Sequence, residues 1–352
     1  MAVIHRLDAE VAISRISVAG LHPISSLVRE TAPSDVGTVG MVSGRTVLPN
    51  PLAGMRPNAL GAIYMVIGSL GYVTNDALIR VATAEGLDVY QALCLRGIGM
   101  SVLFAALLRV RGVVVTRSQF SRPVFGRVGA EVVATSLFFA AIVNLEFANA
   151  QTILLIVPFA VTLAAAVVLG ERVSALQYVT VIAGFVGVVC VVQPGTGAFS
   201  PWSLAAVVSA AALTFREFAT RRVDNSIPAA FVGLVTAIAI TAMTGALALF
   251  TGWNPLNGTA AVVVAAACLC LVVGYVFTIQ TVRVGDISVS APFRYTTLLG
   301  AVVLGYVFFD EIPNTLTIIG CTIILASGIY AIRLEQAARR ITTDPASTTP
   351  SS

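Results

Sequence analysis

The sequence contains no lysine. Its only two histidines, His5 and His22, lie ahead of every long apolar run. That removes most histidine-based catalytic and metal-binding schemes. The five cysteines (Cys94, Cys190, Cys268, Cys270, Cys321) all fall in apolar runs and none has a metal-type spacing, so they read as small packing residues. No P-loop, Asp-rich motif or nucleotide-binding glycine loop is present, and Gly195-Thr196-Gly197 is an ordinary turn. A primary pump is thereby excluded within this chain, and no cofactor is implied. Charge is scarce as well. Only 11% of residues are charged, 57% are hydrophobic, and mean hydropathy is +0.92. Soluble domains carry about 25% charged residues. The chain is therefore a polytopic membrane protein whose first partner is the lipid bilayer. The net charge of +4 is no nucleic-acid signal, because the arginines lie in connectors between apolar runs.

Residues 1–58 are rich in Pro, Gly, Ser and Thr without a sustained apolar period, which predicts a disordered tail. The run VAISRISVAGL is short and broken by Arg15, a poor signal-peptide core. Met55, directly before the first span, reads as a natural start. Ten apolar segments follow, near 59–80, 89–109, 124–144, 148–169, 174–193, 201–220, 228–250, 259–282, 288–309 and 314–333. Each is close to the roughly 20 residues that cross a hydrocarbon core of about 30 Å. Residues 334–352 read as a second disordered tail.

Arginine placement predicts orientation. Alternate connectors collect Arg109, Arg111, Arg117, Arg122, Arg172, Arg216, Arg221, Arg222, Arg283, Arg333, Arg339 and Arg340. The opposite connectors hold Arg80 and otherwise acids: Glu85, Asp88, Glu146, Asp310 and Glu311. Twelve against one places both termini in the cytoplasm and requires an even number of spans.

A weak internal repeat divides the chain. Residues 167–192 match residues 307–332 at an offset of 140, with Glu171 on Glu311 and Leu176 on Leu316. Five spans per half is odd, so the two copies must be inverted in the membrane. The expected architecture is an all-α integral membrane protein of ten helices, with one five-helix repeat over 59–193 and another over 201–333. Inverted repeats with intramembrane charges are typical of secondary transporters.

Several residues carry the pattern further. Gly170-Glu171-Arg172 follows the fourth span, Ala291-Pro292-Phe293-Arg294-Tyr295 lies in the ninth, Asp310-Glu311 follows it, and Ala326-Ser327-Gly328-Ile329-Tyr330 closes the tenth. Asn75-Asp76-Ala77-Leu78 and Leu95-Arg96-Gly97 sit in the first two spans. In this order the set resembles the ten-span EamA-type branch of the drug/metabolite transporter superfamily, over roughly 59–335. Asp310 stands where that branch usually has glycine, a change expected to be harmless in an exposed turn. The resemblance implies carrier-type transport of a small organic metabolite or drug, without naming it.

The candidate site residues are the charges and polar stripes inside spans. Arg294 lies a turn or two into the ninth span, where a charge costs between about 2.5 and 17 kcal/mol. It either snorkels to headgroups or faces a wet cavity and meets a carboxylate or phosphate. Ser290, Arg294 and Thr297 share a helical face, as do Tyr275, Thr278 and Thr281. These stripes are expected to line the cavity, with Tyr295 and Phe293 as stacking groups and Asn75 as a further substrate contact. Hydrogen bonding between helices explains the threonines equally well. Asp76 and Arg96, close in depth, are either a structural pair or a substrate or proton site. Glu131 is expected to pair with Arg127 one turn earlier, the alternative being a proton-coupling carboxylate. Glu171 and Glu311 sit at helix starts, where capping is the favoured role. Pro158 reads as a kink.

Two function classes compete. A secondary carrier fits the repeats and the scattered charges. A polytopic acyl or prenyl transferase would need a clustered acid/base or metal constellation at one membrane face. The carrier is the better reading, as a monomer or homodimer.

Overall fold

The computed structural model describes residues 57–343, apart from 169, 171–172, 197–198, 225 and 285–286. Residues 1–56 of the tail expected over 1–58, Glu171 and Arg172, and residues 344–352 lie outside the described residues. Within them the chain is all-helical. Span 1 is Pro57–Ala84, span 2 Val89–Val110 and span 3 Arg122–Asn144. Span 4 comes in two pieces, Phe147–Leu154 and Val157–Val168. Spans 5 to 8 are Ala175–Val192, Trp202–Arg221, Ala229–Thr251 and Gly258–Val284. Span 9 starts with a short helix, Ile287–Ser290, tightens into a 3₁₀ turn, Ala291–Tyr295, and continues as Thr296–Phe309. Span 10 is Thr315–Thr343. The last helix therefore runs beyond residue 333, into what the sequence suggested was tail.

Nine of these helices are long and apolar enough to cross a membrane. Span 6 is the exception to the expected ten apolar segments, because Arg216, Glu217 and Arg221 interrupt it. It is nevertheless a helix of 20 residues packed along span 3, where Ser209 Oγ donates to the Ala134 carbonyl at 2.8 Å.

The helix ends are set locally. Asp88 Oδ1 accepts from the backbone N–H groups of Tyr90 and Gln91 at 2.9 and 3.3 Å, starting span 2. Ser174 and Gln177 form a reciprocal capping box at span 5. Asn314 Oδ1 accepts from Thr317 N at 2.9 Å and starts span 10.

The spacing of 140 recurs in the helix starts: 89 and 229, 147 and 287, 175 and 315. The packing obeys the same relation. Span 1 packs on span 8 and span 3 on span 6, a pair of contacts that exchange when the halves exchange. Spans 2 and 7, 4 and 9, and 5 and 10 pack on their own counterparts. These are the contacts that a two-fold relation between halves requires. Glycines permit the closest of them. A Cβ on Gly71 would stand 2.8 Å from Gly274 N in span 8, and one on Gly320 would stand 2.6 Å from the Gly187 carbonyl in span 5. Small residues that bring backbones together are the usual device for helix association in lipid.

The same spacing equates Asp310 with Gly170. Both are left-handed, with φ of 52° and 66°. The Asp310 substitution is therefore not neutral as expected from sequence, since a side chain disfavours this conformation that glycine adopts freely. Asp310→Gly is expected to stabilise the protein by up to about 1 kcal/mol, read as a higher melting temperature in detergent. An unchanged or lower melting temperature would refute it.

Candidate functional site

A cavity of about 720 Å³ lies between the two halves. Spans 4 and 9, the counterparts that are both broken, contribute to its wall. From span 4 come Gln151, Leu154, Leu155, Val157 and Pro158. Span 9 supplies Arg294 and Thr297. The break in span 4 at Leu155 and the end of the 3₁₀ turn at Tyr295 are 140 residues apart. Discontinuous helices at corresponding positions of two repeats mark the binding site in many transporters.

The cavity holds two charged groups of residues. At its buried end, Asp76 accepts from Asn75 Nδ2 and from Gln151 Nε2, each at 2.8 Å. Arg96 donates to Asn75 Oδ1 at 3.3 Å and lies over the Phe139 ring, 4.9 Å from its centroid. Asn75 thus stands between the acid and the base, and a direct Asp76–Arg96 ion pair, one of the two readings open from sequence, is not formed. Asn75, Arg96 and Gln151 are 1%, 7% and 5% exposed. Phe139 supplies the face on which Arg96 rests.

Toward the arginine-rich end, Arg216 Nη1 donates to Glu131 Oε2 and Oε1 at 2.9 and 3.2 Å, and its Nη2 donates to Glu217. Arg127 instead donates to Thr236 Oγ1 at 3.2 Å. The expected Arg127–Glu131 pair is corrected here: the partner of Glu131 comes from span 6, not from its own helix. Arg216, counted among the connector arginines, lies inside the bundle. Sequence reasoning passed over Arg216 and Glu217, yet the repeat could have found the position. An offset of 140 carries Asp76 onto Arg216.

Arg294 lines the cavity, is exposed, and makes no hydrogen bond or ion pair with a described residue. Thr297, Tyr275, Thr278 and Tyr72 line the same space, with Tyr275 edge-on to Phe104 at 5.0 Å between centroids. Thr281 is buried and donates to the Phe277 carbonyl instead. The stacking roles expected of Tyr295 and Phe293 are not met by their positions. Tyr295 is buried with its hydroxyl against Gly328, and Phe293 is exposed outside the cavity wall. The 3₁₀ turn explains the difference, because three residues per turn rotates neighbours away from the face that α-helical spacing assigns.

The two ends of the bundle differ. At the acidic end, Arg80 Nη2 donates to Glu311 Oε1 at 2.6 Å and the guanidinium lies over Phe309. Glu311 Oε2 accepts from Phe147 N at 2.5 Å, so it caps span 4 and not the helix that follows it. Gln91 and Asn254 exchange two hydrogen bonds at 2.8 and 3.0 Å, and Asn254 and Asn257 reach the carbonyls of Gly86 and Glu85. Burial, followed by the nearby charge of Glu311, pushes Glu146 above the usual carboxylate range. Toward the arginine-rich end, by contrast, the side chains of Arg216 and Glu217 are 26% and 39% exposed. The paired side chains are thus more exposed toward the arginine-rich end than at the Arg80–Glu311 pair, whose side chains are both 16% exposed.

Residues 59–193 and 200–333 each match the EamA-like transporter family. A riboflavin transporter of Rhizobium johnstonii is 23% identical over 80% of this chain and 93% of its own length. A pseudopaline exporter of Pseudomonas aeruginosa is 25% identical over 78% of this chain and 97% of its own. An S-adenosylmethionine uptake transporter of Rickettsia prowazekii is 22% identical over 51% and 61%. A protein of known crystal structure shares the fold, with a TM-score of 0.56 at 18% identity over 79% of this chain and 97% of that one.

Proposed function

The chain belongs to the EamA-like transporter family, and from that premise we propose that this membrane transporter of small metabolites is a secondary carrier working by alternating access. The observation that carries the proposal is the cavity between two equivalent broken spans, with Arg294 in its wall and in no hydrogen bond or ion pair with a described residue. The similar proteins include an exporter and an uptake transporter with chemically different cargoes, so they support transport of a small organic molecule without fixing its identity or direction. Transport rather than catalysis is the reading they favour.

An unpaired cation in a membrane cavity persists because water or an anionic group reaches it. Arg294 is the contact for a carboxylate or phosphate on the cargo, and its planar fork suits bidentate binding better than an ammonium would. Tyr72, Tyr275, Thr278 and Thr297 complete the near wall. The arginine asymmetry orients the acidic end outward and both termini toward the cytoplasm, in the cytoplasmic membrane. The end with the more exposed pair then faces inward.

A thermal-shift screen of a metabolite library on purified protein identifies the ligand. Arg294→Lys is expected to keep expression and folding while weakening that ligand about tenfold, with Arg294→Ala weaker still. Unchanged affinity in both variants would return Arg294 to a headgroup-seeking role. Counterflow of the labelled ligand in proteoliposomes separates a carrier from a channel or receptor.

A further inference from the structure

We propose that Asp76 is the reversible proton site of the transport cycle, binding one proton from solution on one side and releasing it on the other. The inference rests on the carrier reading for its role, though not for its test. Asp76 opens on the cavity, yet no cation lies within ion-pair distance of its carboxylate among the described residues. Its oxygens are held by two amides, Asn75 and Gln151.

That choice of partner matters chemically. An ionised carboxylate only accepts hydrogen bonds, whereas a protonated one must also donate. An arginine or a backbone N–H can serve the first state alone. An amide serves both, because a half-turn presents its oxygen where its NH₂ had been. Asn75 is fixed as a donor, since its Oδ1 is occupied by Arg96. Gln151 is free to turn: it makes no other hydrogen bond with a described residue. The site can thus satisfy Asp76 with and without a proton.

The charged and titratable groups sharing the cavity are Arg96 on span 2, Arg127 and Glu131 on span 3, Arg216 and Glu217 on span 6, Tyr72 and Tyr275 on spans 1 and 8, and Arg294 in span 9. Among the charged ones Arg96 is the neighbour of Asp76; it donates to Asn75, lies over the Phe139 ring, and feels the Asp76 charge without forming a direct ion pair with it. Glu131 is the poorer proton carrier. Its two contacts come from Arg216, which has no acceptor to offer a protonated carboxyl.

The proton itself is the probe. Infrared difference titration of the full chain in lipid should show a carboxyl C=O band appearing as pH falls through the neutral range. Asp76→Asn should remove that band and Glu131→Gln should leave it. Asp76→Glu, which keeps a carboxyl in place, should retain a band at an altered frequency and covers the case in which Asp76→Asn fails to fold. Gln151→Leu, which removes the turning amide, should displace the titration midpoint about tenfold in proton concentration. A second readout uses Thr297→Cys on a chain whose native cysteines are replaced. Its labelling by an impermeant maleimide, corrected for the thiol's own pH dependence in denatured protein, should vary several-fold with pH, and be flat once Asp76→Asn is added. A band that survives Asp76→Asn, the lack of such a band in the parent, or pH-dependent labelling that survives Asp76→Asn overturns the proposal. None of these outcomes depends on Arg294 or on any cargo.

Discussion

Arg216→Gln is expected to lower stability by about 3 kcal/mol and to cut the yield of folded protein. Among the described residues, Arg216 is the one cation that forms ion pairs with both Glu131 and Glu217. Breaking a buried pair by removing one partner costs about 3–5 kcal/mol, and the lower end applies because these side chains are partly exposed. The arrangement also predicts an asymmetry. Glu131→Gln leaves Arg216 with Glu217 and should cost less, whereas Arg216→Gln strands two acids at once. Neutralising all three, with Gln at 131, 216 and 217, should recover most of the loss. Melting curves in detergent decide it. An Arg216→Gln protein that melts with the parent, or a triple variant no better than the single one, would remove the ion pair from any structural role.

Glu311→Ala should be similarly severe, and its effect should be conformational as well. Glu311 neutralises Arg80 and caps Phe147, and both side chains of the pair are 16% exposed. Arg80 Nη1 already has no partner, so loss of Glu311 leaves the guanidinium with the Phe309 ring and the more distant charge of Glu146. A cost of about 3 kcal/mol follows. Applied to the acidic end alone, that amount shifts the balance between closed and open by on the order of a hundredfold. Thr297→Cys, labelled from outside cells by an impermeant maleimide, should react faster in the Glu311→Ala background than in the parent. Adding Arg80→Ala should restore part of the stability, because the stranded charge is gone. Labelling from outside that is already fast in the parent would contradict the outward orientation assigned to the acidic end.

Much of the fold was legible because lipid imposes a simple rule. Backbone polar groups must be satisfied within each segment, so apolar runs of span length become helices. The repeat offset of 140, drawn from one stretch, extends to the helix starts of spans 2, 4 and 5 and their counterparts. Span 6 was placed correctly as a helix, although its charges set it apart from the apolar nine.

The site was less legible, and for a consistent reason. Sequence neighbours suggest partners along one helix, while the partners that form lie across helices. Arg127 is one turn from Glu131, yet Arg216 holds that acid from 85 positions away. Glu311 caps a helix that begins 164 residues earlier. Asn75 was read as a substrate contact; it lines the cavity, and its amide also spans the gap between Asp76 and Arg96. The misassigned aromatics, Tyr295 and Phe293, follow from a local change of helical period that apolar composition does not signal.

The way the halves interlock also governs how the chain is made. Span 1 ends at Ala84 and its main partner, span 8, begins at Gly258, 174 residues later. At about 5–20 residues per second of synthesis, span 1 waits roughly 10–35 s in the membrane before that partner exists. Within that interval Asp76, Arg96, Arg127 and Glu131 are made before Arg216, and all of them before the closing surface of span 8. The first half must therefore be held by the insertion machinery or by its own provisional pairings. Substitutions late in the chain, such as at Gly274, should consequently appear as defects in the retention of its earliest helix.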